Sequence, residues 1–268
     1  MLSHSRQTID LLMRFWPIGR FFNWLGRQPP FSRIFHPWFN RQNNHAVFIP
    51  VNQVIQGTQS VVLPYLLLPP LIEQASQRII LDRCLCRVAE NCQTYSHQLG
   101  CLFLGQGAAQ IHPSMGHSVS VAEASAHIDR AMQAGLVPLI VHTAFDALVL
   151  GIPYRRMLAV CFCCDCCCTV RSGLRMGPPA FWEAVERLPG LELVVDETCV
   201  GCAACEQVCL TQAIVVHEGR AVVGERCKGC GRCVSVCPVG ALQLESANCQ
   251  DLPHFILERV QKRTVITG

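Results

Sequence analysis

Glu197-Thr-Cys-Val-Gly-Cys-Ala-Ala-Cys-Glu-Gln-Val-Cys209 returns 28 residues later as Glu225-Arg-Cys-Lys-Gly-Cys-Gly-Arg-Cys-Val-Ser-Val-Cys237, and the match runs on into Ala213-Ile214 and Ala241-Leu242. Each copy spaces its cysteines Cys-x2-Cys-x2-Cys-x3-Cys. Three thiolates so close along the chain can wrap three corners of one cubane, while the fourth points away and serves the neighbouring cluster. Structural zinc more often pairs two distant Cys-x2-Cys knuckles. The duplicated run therefore reads as ligands for two [4Fe-4S] clusters, with about eight iron per chain from this segment alone.

Over residues 191–245 the sequence resembles the bacterial two-cluster ferredoxins. The resemblance implies one cluster held by Cys199, Cys202, Cys205 and Cys237, and another by Cys227, Cys230, Cys233 and Cys209. The glycines at 201, 229 and 231 suit loops that curl around a cluster and aim N–H groups at its sulfurs. Ala213 to Val216 and Ala221 to Val223 flank His-Glu-Gly-Arg, the pattern of a β-hairpin with a short turn. The segment then forms a βαβ-type pseudo-twofold repeat. One position breaks the symmetry: Pro238 follows the last cysteine of the second copy, whereas Leu210 stands at that place in the first. Losing the rigidity of Pro is expected to alter the surroundings of Cys209 without removing a ligand.

The rest of the chain holds more cysteine than this module uses. In a sequence of 268 residues the 19 cysteines fall in tight clusters, which favours metal ligation in a reducing compartment over a disulfide scaffold. Ten cysteines precede the repeat, in two groups. The first is Cys84-Leu-Cys86-Arg87, then Cys92 and Cys101, and the second is Cys161-Phe-Cys163-Cys164-Asp-Cys166-Cys167-Cys168. Cys84, Cys86, Cys92 and Cys101 make a candidate four-thiolate site for a third iron–sulfur cluster or, as alternatives, a structural zinc or a set of catalytic or structural thiols. The later run completes that site, holds a further cluster of unusual ligation, or acts as a dithiol relay. A helix would pair Cys163 with Cys167 and Cys164 with Cys168, whereas a strand would put Cys164, Cys166 and Cys168 on one face.

These motifs, with Gly100-Cys101-Leu-Phe103-Leu-Gly105, resemble a family of ferredoxin-fused bacterial and archaeal redox proteins over residues 49–169. That resemblance supplies no substrate. Between the two cysteine groups the sequence reads as α/β. Ser120-x-x-Glu123 is a capping box, the helix runs through Ala131, Gly135 sits where a C-cap belongs, and Leu136 to Val141 reads as a buried strand. His112, His117, His127 and His142 read as surface or hydrogen-bonded histidines. There is no Gly-x-Gly-x-x-Gly fingerprint and no P-loop, so neither a nicotinamide nor a flavin site is supported.

The segment from Leu11 to Ile72 lacks Asp and Glu, and between Arg14 and Arg41 five arginines interleave with nine of the chain's 19 aromatic residues. That composition suits peripheral contact of residues 11–45 with an anionic membrane surface, or packing of an arm on the protein or a partner. Pro17, Pro29, Pro30 and Pro37 break it into short pieces. The apolar run Ile9 to Met13 holds Asp10 and is closed by Arg14, a poor signal-peptide core. Val61 to Ile72 is short and carries three prolines, and Gln133 to Ile152 holds Pro138, His142 and Asp146, so neither reads as a membrane span. The formal charge of +3 carries no sign of nucleic-acid binding, since two clusters of about 2− each turn it to about −1.

The expected architecture is α+β, with an arm over 1–48, a Cys-rich α/β domain over 49–180, the ferredoxin-like module over 190–246 and a tail over 247–268. The expected function is a cytoplasmic electron-transfer protein or oxidoreductase subunit, on its own or peripheral to the cytoplasmic face of a membrane, that passes low-potential electrons to a redox partner protein. An oxidoreductase with its own catalytic centre in the Cys-rich domain, and a thiol or metal redox sensor, are the alternatives.

Overall fold

The computed structural model describes residues 3–34, 40–50, 63–246 and 251–268. Eleven strands follow one another along these residues: β1 (Asn44–Phe48), β2 (Arg78–Leu81), β3 (Leu102–Leu104), β4 (Gly116–Ser118), β5 (Val137–Thr143), β6 (Leu158–Cys163), β7 (Val185–Glu186), β8 (Leu191–Val195), β9 (Ile214–His217), β10 (Arg220–Val223) and β11 (Leu242–Ser246). The first seven form one mixed sheet in the order β4-β2-β3-β6-β5-β1-β7. Every pairing in it is antiparallel except β1 with β7.

The central strands are buried on both faces, with helices packed on β1 and β5. β1 is buried along its whole length, and β5 is buried over six of its seven residues. Helix Val121–Gln133 packs on β5 and on helix Leu63–Gln74, which in turn carries helix Leu252–Gln261. The capping box at Ser120 forms as the sequence predicts, with the Ser120 hydroxyl accepting from the Glu123 amide and Glu123 accepting from the Ser120 amide. Leu63–Gln74 is a helix of this core despite Pro69 and Pro70, with Leu67, Leu68 and Leu71 almost fully enclosed. Val61 and Val62, the start of that apolar run, lie outside the described residues. No helix among the described residues is long and apolar enough to cross a membrane.

This body reaches beyond residues 49–180. β1 belongs to the sheet through its ladders to β5 and β7, and all five of its residues are buried, so the boundary expected at 48 follows a strand that is part of the core. After the ferredoxin-like module the chain returns to the same body: Leu252, Ile256, Val260 and Ile266 join its core, Val265 donates to the Arg155 carbonyl, and Ser76 donates to that of Ile266. The module between them consists of two short antiparallel sheets, β8 with β11 and β9 with β10. The second is the predicted hairpin, turning at Glu218-Gly219 with both residues at positive φ.

Candidate metal centres

In the module each Cys-x2-Cys-x2-Cys run climbs a loop into a one-turn helix, Ala204–Val208 in the first copy and Arg232–Ser235 in the second. The loops need left-handed backbone, which Gly201, Gly229 and Gly231 supply. At the position equivalent to Gly231 the first copy has Ala203, which is forced into the same region at φ 61°. The geometry aims amides at sulfur: Gly229 donates to Cys227 Sγ and Ala221 to Cys199 Sγ, both at 3.4 Å, and Ala213 donates to Cys209 Sγ at 3.2 Å.

Two groups of four thiols result, and the fourth member of each comes from the other copy. Cys199, Cys202, Cys205 and Cys237 line one hollow. Cys227, Cys230 and Cys233 each lie within electrostatic range of Cys209. Burial pushes the Cys230 thiol up to about 12, and Cys233 higher still, so without a cation both remain protonated. All eight are free cysteines, and donor type, number and convergence fit a [4Fe-4S] cluster in each group.

The two hollows face differently. The first opens outward, with Cys202 exposed and Val200 and Val239 at 61% and 45% exposure beside it. The second faces the N-terminal body: Cys209 and Cys233 are buried, and Cys230 and Val234 pack against the large core. Leu210, which replaces the expected proline, is fully buried in that same core, whereas Pro238 is exposed. The broken symmetry thus marks the docking side of the module. Arg175 holds it there by donating to the Cys209 carbonyl at 2.9 Å and the Leu210 carbonyl at 3.4 Å.

The ten cysteines of the N-terminal body do not assemble as the sequence grouping suggests. Cys92 leaves Cys84, Cys86 and Cys101 and joins Cys164, Cys166 and Cys167, with all four sulfurs within 4.8 Å of one another. Tetrahedral zinc with bonds of about 2.3 Å separates its sulfurs by about 3.8 Å, so this spacing is of the right order for one metal ion, and the Cys167 amide also donates to Cys164 Sγ at 3.2 Å. The dense run is neither one helix nor one strand. Cys161 and Cys163 are on β6, whose pairing to β5 ends at Cys163 opposite Val137, and Cys164 to Cys168 curl through a loop into helix Thr169–Met176. Cys163 and Cys168 meet across that loop at 2.7 Å.

The remaining thiols form a row. Cys101 Sγ lies 3.0 Å from Cys161 Sγ, and Cys84 hydrogen-bonds with both Cys101 and Cys86. The bond to Cys101, aided by burial, pushes the Cys84 thiol up to about 12. Thr169 donates its hydroxyl to Cys86 at 3.0 Å. All four histidines noted in the sequence have ring partners: His112 with Ser114, His117 with Asp82, His127 with the Gly100 carbonyl and His142 with that of Tyr154.

Sequence reasoning passed over the residues that join the two bodies. Arg232, beside Cys233, donates to Asp165 at 2.8 Å, to the Gly135 carbonyl at 2.9 Å and to the Tyr95 hydroxyl. Asp165 lies between Cys164 and Cys166. Lys228, beside Cys227, lies over the Trp182 ring and donates to the Trp182 carbonyl at 3.0 Å. Nothing in the local sequence marks these pairings, although the placement of each charge next to a cysteine is visible there.

Residues 193–244 match the 4Fe-4S dicluster domain. The C-terminal part of the chain is therefore an iron–sulfur ferredoxin-like module, and the class of chemistry is iron–sulfur electron transfer. No curated protein matches the chain, and no solved structure does.

Proposed function

We propose that the chain is an electron relay in which a redox partner protein docks at the outward hollow of Cys199, Cys202, Cys205 and Cys237, and the inward hollow of Cys227, Cys230, Cys233 and Cys209 connects to a redox-active iron–thiolate centre at Cys92, Cys164, Cys166 and Cys167, whose sulfur spacing suits iron as it does zinc. A [4Fe-4S] cluster in each hollow supplies one-electron storage. The protein's own residues fix the order. The observation that carries this reading is the Arg232–Asp165 ion pair, which ties the residue next to Cys233 to the one between Cys164 and Cys166. The exposed Val200 and Val239 frame the outer hollow with the apolar surface that a transient protein partner uses.

A reductive titration of anaerobically purified protein tests the relay. The two clusters of the module accept about two electrons. Uptake beyond that, with a signal that disappears in a Cys166→Ser/Cys167→Ser variant, is the expected outcome. Uptake that stops at two ends the relay at the module. Uptake that changes only when a reducible small molecule is added favours a catalytic centre in this body instead.

The N-terminal arm is the proposed membrane contact. Helix Arg6–Arg14 buries Ile9 and Met13 against the body, and Asp10 pairs with Arg83. The opposite side carries exposed Leu11, Leu12 and Phe15, continued by Phe21, Phe22 and Trp24 on helix Trp16–Leu25. An apolar, aromatic face among arginines suits the boundary of an anionic bilayer. Sedimentation with vesicles of anionic lipid should carry the protein down, and Phe21→Ser/Trp24→Ser should leave it in the supernatant. Equal soluble fractions remove the membrane from the proposal.

A further inference from the structure

The row of thiols at Cys84, Cys86, Cys101 and Cys161 belongs neither to the module nor to the centre around Cys92. It is built by register: β3 and β6 pair Leu102 with Val160 and Phe103 with Ala159, so the next residues in line, Cys101 and Cys161, fall directly opposite each other. Their sulfurs lie 3.0 Å apart. From the other side comes the short helix Leu85–Ala89, which follows Cys84, contains Cys86 and places Cys84 against Cys101.

Beside this row lies Arg87, at 1% exposure the largest fully buried side chain described. Two of its nitrogens donate to the carbonyls of Phe162, at 3.0 Å, and Leu99, while Nε has no hydrogen-bond partner. No ion pair between Arg87 and a carboxylate occurs among the described residues. The groups that face it electrostatically are Cys84, Cys101, Cys164 and Cys86. A guanidinium does not lose its proton in a protein interior, and burying it unpaired is strongly unfavourable. The thiols around it must therefore supply negative charge, and buried cysteines do so when a metal holds them as thiolates. Four thiolates around Zn²⁺, or around a [4Fe-4S] core, leave a net charge of about 2−.

We propose that Cys84, Cys86, Cys101 and Cys161 form a second metal–thiolate centre in the N-terminal body, separate from the one at Cys92, Cys164, Cys166 and Cys167, with Arg87 as its buried counter-charge. Its occupant is an iron–sulfur cluster, since among the described residues no three of these four sulfurs gather within 4.8 Å as one zinc ion would require, whereas a cubane takes its thiolates at separate corners. The centre requires no electron relay, since the charge of its thiolates alone satisfies Arg87.

Anomalous diffraction at the iron and zinc absorption edges, on crystals of the full chain purified without oxygen, locates the metal and identifies it. Density enclosed by these four sulfurs, resolved from density beside Cys92, is expected, and its absence overturns the proposal. Metal analysis of variants reads the same question in solution. Cys84→Ser/Cys101→Ser and Cys166→Ser/Cys167→Ser should each lose one centre's metal, and the combined variant should lose both. If either double variant loses as much as the combined one, there is a single centre. Arg87→Gln should release metal from this centre to a chelator several-fold faster than the wild type, with Arg87→Lys close to the wild-type rate. Equal release from both variants removes the counter-charge role. Because the diffraction arm uses the unaltered chain, a variant that fails to fold does not blunt the test, and a relay that stops at two electrons leaves it unaffected.

Discussion

Leu210 shows how one residue can be conspicuous in sequence while its purpose is set elsewhere. Against Pro238 it reads as a lost proline near a ligand. In the fold it is a fully enclosed side chain that roots the module in the large core, and its carbonyl is held by Arg175. Leu210→Ala should destabilise the protein by about 2–5 kcal/mol, the transfer free energy of the lost methyl groups plus the cavity left behind. Denaturant unfolding of the cluster-loaded protein measures this, and a change below about 1 kcal/mol would show that the site collapses or is not a buried anchor. The convergence of the repeat's cysteines was legible because it depends on local spacing and duplication, which the sequence displays. What Leu210 touches depends on Arg175 and the sheet, and no local spacing encodes that.

At the scale of elements, the crowding of the N-terminal cysteines was legible, but the groups the fold makes of them were not. Sequence proximity groups Cys92 with Cys84, Cys86 and Cys101, while the loop after β6 takes Cys92 to Cys166 at 3.5 Å and strand register sets Cys101 against Cys161. Register is a cooperative property of the sheet, fixed by which faces are buried, and it is weakly marked in strands as uniformly apolar as these. The capped helix Val121–Gln133 and strand β5 were legible for the opposite reason: a capping box and a sustained apolar run are local signals. The Gly100-Cys101 pair belongs to both descriptions. A Cβ at Gly100 would stand 2.0 Å from the Leu81 carbonyl oxygen and 2.7 Å from its carbon, so β2 and the start of β3 can approach only through glycine. Gly100→Ala should therefore cost about 1–3 kcal/mol or more through overpacking, and should lower metal content at Cys101 while the module keeps its iron. Thermal unfolding with elemental analysis checks both, and full metal retention would show that the backbone shift does not reach Cys101.

At the scale of the molecule, the ferredoxin-like module is an insertion held at both ends by one body: β8 enters it with Leu191 fully buried in the large core, and helix Leu252–Gln261 leaves it to pack on helix Leu63–Gln74. Between those anchors Arg175 and Lys228 tie the inward side of the module to the helices after the Cys-rich loop, and Arg232 ties it to that loop through Asp165. Such an arrangement fits a fixed internal connection better than a swinging carrier, since a carrier domain would meet its acceptor through a small polar contact. Arg232 is where this can be tested without touching a cysteine. Its bonds to Asp165, Tyr95 and the Gly135 carbonyl are side-chain contacts that alanine removes together, while Cys230 and Cys233 keep their own backbone. Arg232→Ala is expected to keep the module's iron and visible spectrum and to slow electron exchange between module and N-terminal body several-fold after rapid partial reduction. Asp165→Asn should slow it in the same sense, and the double variant should fall short of the two effects combined, because both substitutions break one contact. Independent, fully additive effects would place the electron path somewhere other than the Arg232–Asp165 seam.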